Sequence, residues 1–309
     1  MDDPSELCER AAEIVESDPR GSYELFSRAA EAGHPNGMFG VAELKMMGLG
    51  TGFDPQGAEP LYERAAAMGH PPSMYRLGML WTGRAGHPED PERAASWFRS
   101  SAEAGFPPAY PEVAGTLLYG YGTPEDPEAA LRWYRLAADG GDALSMFKVG
   151  YMLSEGIGAD RDPEGAVAMF RASADAGVPE AMLKMADLCS EGAVPGGPSE
   201  AFAWCSKAAG LGFRPAVFRQ ATMLYQGEGV KRDLTRAFEI YSSLAAEGEA
   251  DAMFMVGRML YDGLGVDKDE GRGFEHLSKA AEMGSDIALQ LVQDIRRRQN
   301  TQIVRIDGA

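Results

Sequence analysis

The chain has 309 residues, 45% hydrophobic and 25% charged, and its 29 Lys and Arg against 47 Asp and Glu leave a net charge of −18. So acidic a chain lacks the cationic footprint that neutralises phosphates and releases counterions, which excludes nucleic acid as the main partner. No apolar run reaches the roughly 18 residues of a spanning helix, and Met1-Asp2-Asp3-Pro4 is acidic where a signal peptide is basic, so a cytoplasmic chain without membrane insertion is expected.

One glycine returns along the whole sequence, as Gly33, Gly69, Gly105, Gly141, Gly177, Gly212, Gly248 and Gly284. A fixed period of this size predicts a solenoid of tandem units, each burying its apolar face against its neighbours. The fold class expected is all-α, an α-solenoid of 36-residue repeats forming a single domain over 1–298. Asp3-Pro4 opens an N-terminal capping helix over about 3–16. Repeats follow over about 19–285, then a C-terminal capping helix over about 286–298, where Arg296, Arg297 and Arg298 complement the helix dipole. Residues 299–309 are expected as a flexible tail.

Each repeat reads as two helices. Four residues after the turn glycine the chain is always small, as Gly37, Ser73, Ala109, Ser145, Ala181, Ala216, Ala252 and Ala288, so helices approach closely there. The ninth position is small through seven units, from Ala42 to Gly257, and shares a helical face with the apolar eighth. A second glycine near position fifteen (Gly48, Gly120, Gly156, Gly192, Gly227, Gly263) ends the first helix, since glycine adopts positive φ without penalty. An Asp, usually followed by Pro, then caps the second helix at Asp18, Asp54, Asp90, Asp126 and Asp162, with Asp233 and Asp269 lacking the proline. The second helix carries an early alanine, a bulky pair and a small pair, as in Ala130, Trp133-Tyr134 and Ala137-Ala138. These aromatics are expected in the core.

Those residues resemble the Sel-one-like repeat (SLR) family, relatives of the tetratricopeptide repeat. Val256-Gly257 to Tyr261, Gly263-Leu264-Gly265 and Asp269 match its first half, and Ala130 to Gly141 its second. The resemblance spans about residues 19 to 298. It implies a right-handed superhelix of antiparallel helix pairs that serves as a non-catalytic adaptor or scaffold, binding a protein or peptide on its concave groove. Departures fall at Gly83-Arg84-Ala85-Gly86-His87, at Gly196-Gly197-Pro198, and at Gly273 in place of the early alanine.

By the same resemblance the sixth and seventh positions after the turn glycine face the groove. Tyr75, Phe147, Phe218 and Phe254 would supply apolar contact, and Arg76, Lys148, Lys184 and Arg219 would hold an acidic segment or a C-terminal carboxylate. The competing reading packs the aromatics between layers and pairs the cations with nearby acids, for example Lys184 with Asp187 at i, i+3.

Two alternatives remain open. Some cysteine-rich relatives are linked to β-lactam chemistry, and Ser145-Met146-Phe147-Lys148 matches S-x-x-K. However, Ser145 occupies the small packing position and no S-D-N or K-T-G accompanies it. The other alternative is a scaffold that mainly self-associates. The Gly-x-Gly elements follow helices and recur as turns, so no nucleotide site or cofactor is expected. The four histidines lack metal-ligand spacing, and Asp267 to Gly271 misses the calcium-loop register, so no metal is expected. Cys8, Cys189 and Cys205 do not follow the repeat, and Cys189 and Cys205 are read as reduced core thiols.

Overall fold

The computed structural model describes residues 3–83 and 86–307, with side chains through Arg298. The described residues fold into seventeen α-helices and one 3-10 turn, Pro107–Ala109. The chain comprises two compact units, residues 1–169 and 170–309. The first contains α1 (Pro4–Ile14), α2 (Pro19–Glu31), α3 (Pro35–Met47), α4 (Pro55–Ala67), α5 (Pro71–Leu80), α6 (Pro91–Glu103), α7 (Tyr110–Tyr119), α8 (Pro127–Asp139) and α9 (Ala143–Glu155). The unit boundary falls inside α10 (Pro163–Asp175). The second unit continues with α11 (Pro179–Ser190), α12 (Gly197–Gly210), α13 (Arg214–Gln226), α14 (Leu234–Ala246), α15 (Ala250–Asp262), α16 (Glu270–Glu282) and α17 (Asp286–Asp307). Each unit is an all-α solenoid in which consecutive helices pack in pairs. Among the described residues the only β-pairing is an isolated bridge between Thr82 and Glu89.

The helix boundaries follow from capping chemistry. Asp18, Asp54, Asp90, Asp126, Asp162, Asp233 and Asp269 each accept the backbone N–H three residues on, satisfying one of the orphan donors of a helix start. Asp142 caps α9 in the same way, and Asp3 caps α1 by accepting the N–H of Ser5, two residues on. At the other end Gly48, Gly120, Gly156, Gly227 and Gly263 occupy the left-handed region as C-caps.

Layers are held by an alternation of large and small. The second residue of each bulky pair is buried, as Tyr62, Phe98 and Tyr134 in the first unit and Tyr241 and Leu277 in the second. Each contributes roughly 2–3 kcal/mol of apolar burial. Glycine makes room for the rings. A Cβ on Gly40 would come within 2.6 Å of the Phe26 ring, and one on Gly78 equally close to Phe98. The second glycine of each Gly-x-Gly turn lies on the start of the preceding second helix. A Cβ on Gly50, Gly122, Gly158 or Gly229 would sit 1.9–2.3 Å from the carbonyl oxygen of Pro19, Pro91, Pro127 or Pro198.

The three irregular loops have local causes. The connection after α5 runs from Trp81 to Asp90 and carries the Thr82–Glu89 bridge; Arg84 and Ala85 lie outside the described residues. Before α12, Gly196 at φ 117° replaces the capping Asp and offers no side-chain hydrogen bond. Gly273 replaces the early alanine because α15 and α16 cross backbone to backbone: a Cβ there would lie 2.6 Å from the Tyr261 nitrogen and 2.9 Å from the Gly257 oxygen. The last helix also differs from expectation. It continues past Arg298 to Asp307, because no glycine or proline interrupts the sequence before Gly308. Residues 308–309 lie outside the described residues.

Candidate protein-interaction site

The sixth- and seventh-position residues lie on the odd-numbered helices, the first helices of the repeats. In the first unit Tyr75 and Arg76 sit on α5, and Phe147 and Lys148 on α9. In the second Lys184 sits on α11, Phe218 and Arg219 on α13, and Phe254 on α15. All four aromatics are half-buried. Tyr75 packs 5.8 Å from the Phe98 ring and 5.6 Å from Phe106. Phe218 meets Tyr241 edge-on at 5.3 Å, and Phe254 packs against the buried cores around Val256 and Leu277. One side of each of these three rings therefore belongs to the core, as the competing reading expects.

The cations divide into two kinds. The Arg76 guanidinium donates to Glu43 of α3 at 2.6 Å, and the same carboxylate accepts the Tyr62 hydroxyl at 2.5 Å. Burial and the Glu43 charge both push the Tyr62 hydroxyl well above its ordinary range. Arg219 donates to Glu228 at 3.3 Å, where Ser190 also donates at 2.8 Å, and its Nε is buried without a partner among the described residues. Burial raises the Asp187 carboxyl, opposed by the positive charges of Arg219 and Lys184. The Lys184 ammonium also stands 6.0 Å from the centre of the Phe170 ring.

Lys148 is half-buried and, like Lys184, differs from the two arginines in making no ion pair among the described residues. The reason lies in register. Arg76 pairs with Glu43, 33 residues earlier, ten after its turn glycine; Arg219 interacts with Asp187, in the same position of its own preceding repeat. The residue in that register relative to Lys148 is Gly115, which offers no charge.

Two grooves open on the odd-helix face of the first unit. One, of about 410 Å³, lies between α1 and α3 over Phe26. The other, of about 240 Å³, lies between α3 and α5 and is lined by Met46, Met79, Leu80 and Tyr62. Both include Glu43 and Met47. In the second unit Phe254, Arg258, Ile287, Leu291 and Arg298 line a groove of about 450 Å³ between α15 and α17. The composition of none of these was legible at the sixth and seventh positions alone, because Met47 lies at the end of α3 and Glu43 at position ten.

Residues that could carry chemistry are placed as packing groups. Ser145 is 1% exposed and its hydroxyl, without a hydrogen-bond partner among the described residues, points into the core. Cys189 and Cys205 are free thiols donating to the Pro195 and Ala216 carbonyls, and burial pushes Cys205 up to about 11. Cys8 is likewise free and buried, 3.7 Å from His34. No three His, Cys, Asp or Glu among the described residues are grouped to hold a metal. No helix among them is long and apolar enough to cross a membrane.

Stacked helix pairs that present grooves and half-buried side chains, with their hydroxyls and thiols packed inward, define a repeat protein of the interaction class. Sel1 repeats match residues 7–34, 35–70, 71–106, 112–142, 143–178, 179–213, 215–249 and 250–285, and the chain belongs to the Sel1 repeat family. It is similar to a Sel1 repeat protein from Oxalobacter formigenes, with 26% identity, a TM-score of 0.73, and coverage of 95% of this chain and 86% of that one. It also resembles in fold c5321, a protective antigen of uropathogenic Escherichia coli with an SLR fold, at 23% identity, a TM-score of 0.64, and coverage of 96% and 72%. No curated protein matches. Sel1 repeat proteins generally mediate protein–protein interaction and are typically non-enzymatic scaffolds.

Proposed function

We propose that the protein is a non-catalytic adaptor whose units each receive a partner segment on the face of their own odd-numbered helices, with Lys148 as the docking point for a partner carboxylate in the first unit and Lys184 in the second. The observation that carries this reading is Lys148, a half-buried cation without an acid where its counterpart Arg76 has Glu43. An ammonium with part of its hydration removed gains more from an incoming carboxylate than an exposed one does. Arg76 and Arg219 act as internal struts, and Tyr75, Phe147, Phe218 and Phe254 present their outer edges as apolar contact.

A photo-crosslinking residue placed at Met47 or at Lys148, and as control at the exposed Arg135 on α8, tests the face in the native cell. The odd-helix positions are expected to trap the same discrete partner and Arg135 none. With that partner purified, Lys148→Glu and Lys184→Glu are expected to weaken binding about tenfold each, in the range of a partly desolvated charge pair. Unchanged affinity in both variants would remove the carboxylate docking points, and equal trapping at Arg135 would remove the face.

A further inference from the structure

The paired grooves of the first unit select the form and charge of what they hold. Their lining is apolar, with Ala12 and Val15 on the α1 side, Phe26 as floor, and Met46, Met47 and Met79 along α3 and α5. Met47 is 55% exposed. Methionine is unbranched and polarisable, and a methionine-lined groove adapts to large apolar side chains. Little in this lining is free to pair with a main chain: apart from Asn36 at one end, the polar side-chain groups are the Glu9 carboxylate, the Cys8 thiol beside His34, and Glu43, Arg76 and Tyr62, which are bonded to one another. An extended segment would leave its backbone N–H and C=O groups without partners there, whereas a helix satisfies its own.

Charge then fixes the flank. Glu43 is already held by Arg76 and Tyr62. Glu9, on the groove wall, and Glu13, one helical turn further along α1, are exposed and make no ion pair among the described residues. The groove is therefore apolar with an unneutralised acidic rim, on a chain of net charge −18.

We propose that the α1–α3–α5 groove is the docking site for an amphipathic helix whose apolar stripe seats over Phe26 and the three methionines, and whose Lys or Arg flank meets Glu9 and Glu13. This deepens the adaptor reading and rests on it: it names the partner element that the first unit takes. The stripe would run at i, i+3/i+4, i+7. Cations on one flank would set its direction across α1, since the opposite rim carries Arg76.

The probe is an 18-residue Leu/Lys amphipathic peptide, compared with the same peptide carrying Glu for Lys and with one broken by a central Pro. Binding is read by fluorescence anisotropy against the full chain at low and at physiological salt. The Lys peptide is expected to bind and to gain helical circular dichroism, with the Glu and Pro peptides at least tenfold weaker. Met47→Asp and the pair Glu9→Lys, Glu13→Lys are each expected to weaken the Lys peptide about tenfold. The pair Glu239→Lys, Glu275→Lys, at exposed positions of α14 and α16, changes net charge equally and is expected to leave binding within twofold. Equal loss in that control pair would mean that only the overall charge attracts the peptide, and no loss with Met47→Asp would place it elsewhere; either overturns the proposal. These outcomes are separable from the adaptor reading, whose crosslinks at Lys148 do not depend on this groove.

Discussion

Replacing Gly122 with Ala tests the contact that stacks one layer on the next. Gly122 sits at φ 68°, and a Cβ there would lie 1.9 Å from the Pro91 carbonyl oxygen, 2.1 Å from its carbon and 2.6 Å from the Glu92 nitrogen. The obstacle is backbone, so the layer itself must move by about 1 Å to restore van der Waals separation. Two terms add: about 1–2 kcal/mol for an L-residue in the left-handed region and about 1–3 kcal/mol for overpacking. Against them stands a loss of unfolded-chain entropy that returns about 0.4–1 kcal/mol. The net destabilisation is about 2–4 kcal/mol. Gly105, the turn glycine that ends the preceding repeat, is the control. At φ 82° it has no atom within 4 Å of an added Cβ, so Gly105→Ala carries the backbone term alone, about 1 kcal/mol net. Both lie in one compact unit, and guanidinium and thermal unfolding of the full chain read both in the same transition. Gly122→Ala should melt lower than Gly105→Ala by about 2–4 °C per kcal/mol of difference. Equal losses in the two variants would show that the glycine serves φ only and that the close approach of layers plays no part.

The capping, core and titration arguments give further outcomes. Asp126→Ala removes the acceptor for the Ala129 N–H, bonded at 2.9 Å, and should lower unfolding free energy by about 1 kcal/mol, with Asp126→Asn recovering most of it. Ser145→Ala removes a buried hydroxyl without a partner among the described residues, so stability should hold or rise by about 1 kcal/mol in denaturant titration; a loss of that size would mean the hydroxyl is bonded. Burial, and then repulsion from His34, hold the His70 imidazole below its ordinary value of 6.5. The unfolded chain therefore binds this proton first, and native stability contributed here is whole above pH 6.5 and lost as pH falls toward the folded value. His70→Gln should lose less melting temperature than the native chain between pH 7.5 and 5.5, and a parallel decline in the two would show that His70 is not the group responsible.

The fold was readable because every structural requirement recurs at a fixed interval. The turn glycines, the capping Asp residues and the small fourth and ninth positions each answer to one local cause, and repetition multiplies a signal that a single copy would leave ambiguous. The unusual crossing at Gly273 was visible as a departure, but its cause needed the facing Gly257 oxygen. The last helix was placed nine residues short because the basic triplet Arg296 to Arg298 looks like a helix end, while the decisive fact is that nothing breaks the chain before Gly308. The proposed interaction face was only half readable. Sixth- and seventh-position residues can be collected from the sequence, but whether a cation is available depends on the tenth residue of the preceding repeat, a relation between layers that periodicity within one repeat does not expose.

That relation can be turned back on the sequence. Gly115 stands 33 residues before Lys148, as Glu43 stands before Arg76. A Cβ at Gly115 meets only the Tyr134 hydroxyl, at an ordinary contact of 3.7 Å, so a side chain can start there without a clash. Gly115→Glu should therefore build in α7 the acid that Lys148 lacks. Replacing a helix-interior glycine is worth about 0.5–1 kcal/mol, and the new pair adds about 0–1 kcal/mol. Stability should rise while affinity for a carboxylate-bearing partner falls by as much as in Lys148→Glu, because the installed carboxylate competes at effective concentrations no free partner reaches. A variant that gains stability and keeps its partner would show that Lys148 is an idle charge. A variant that gains stability and loses its partner would tie the docking point to the missing acid, which no substitution of the lysine alone can do.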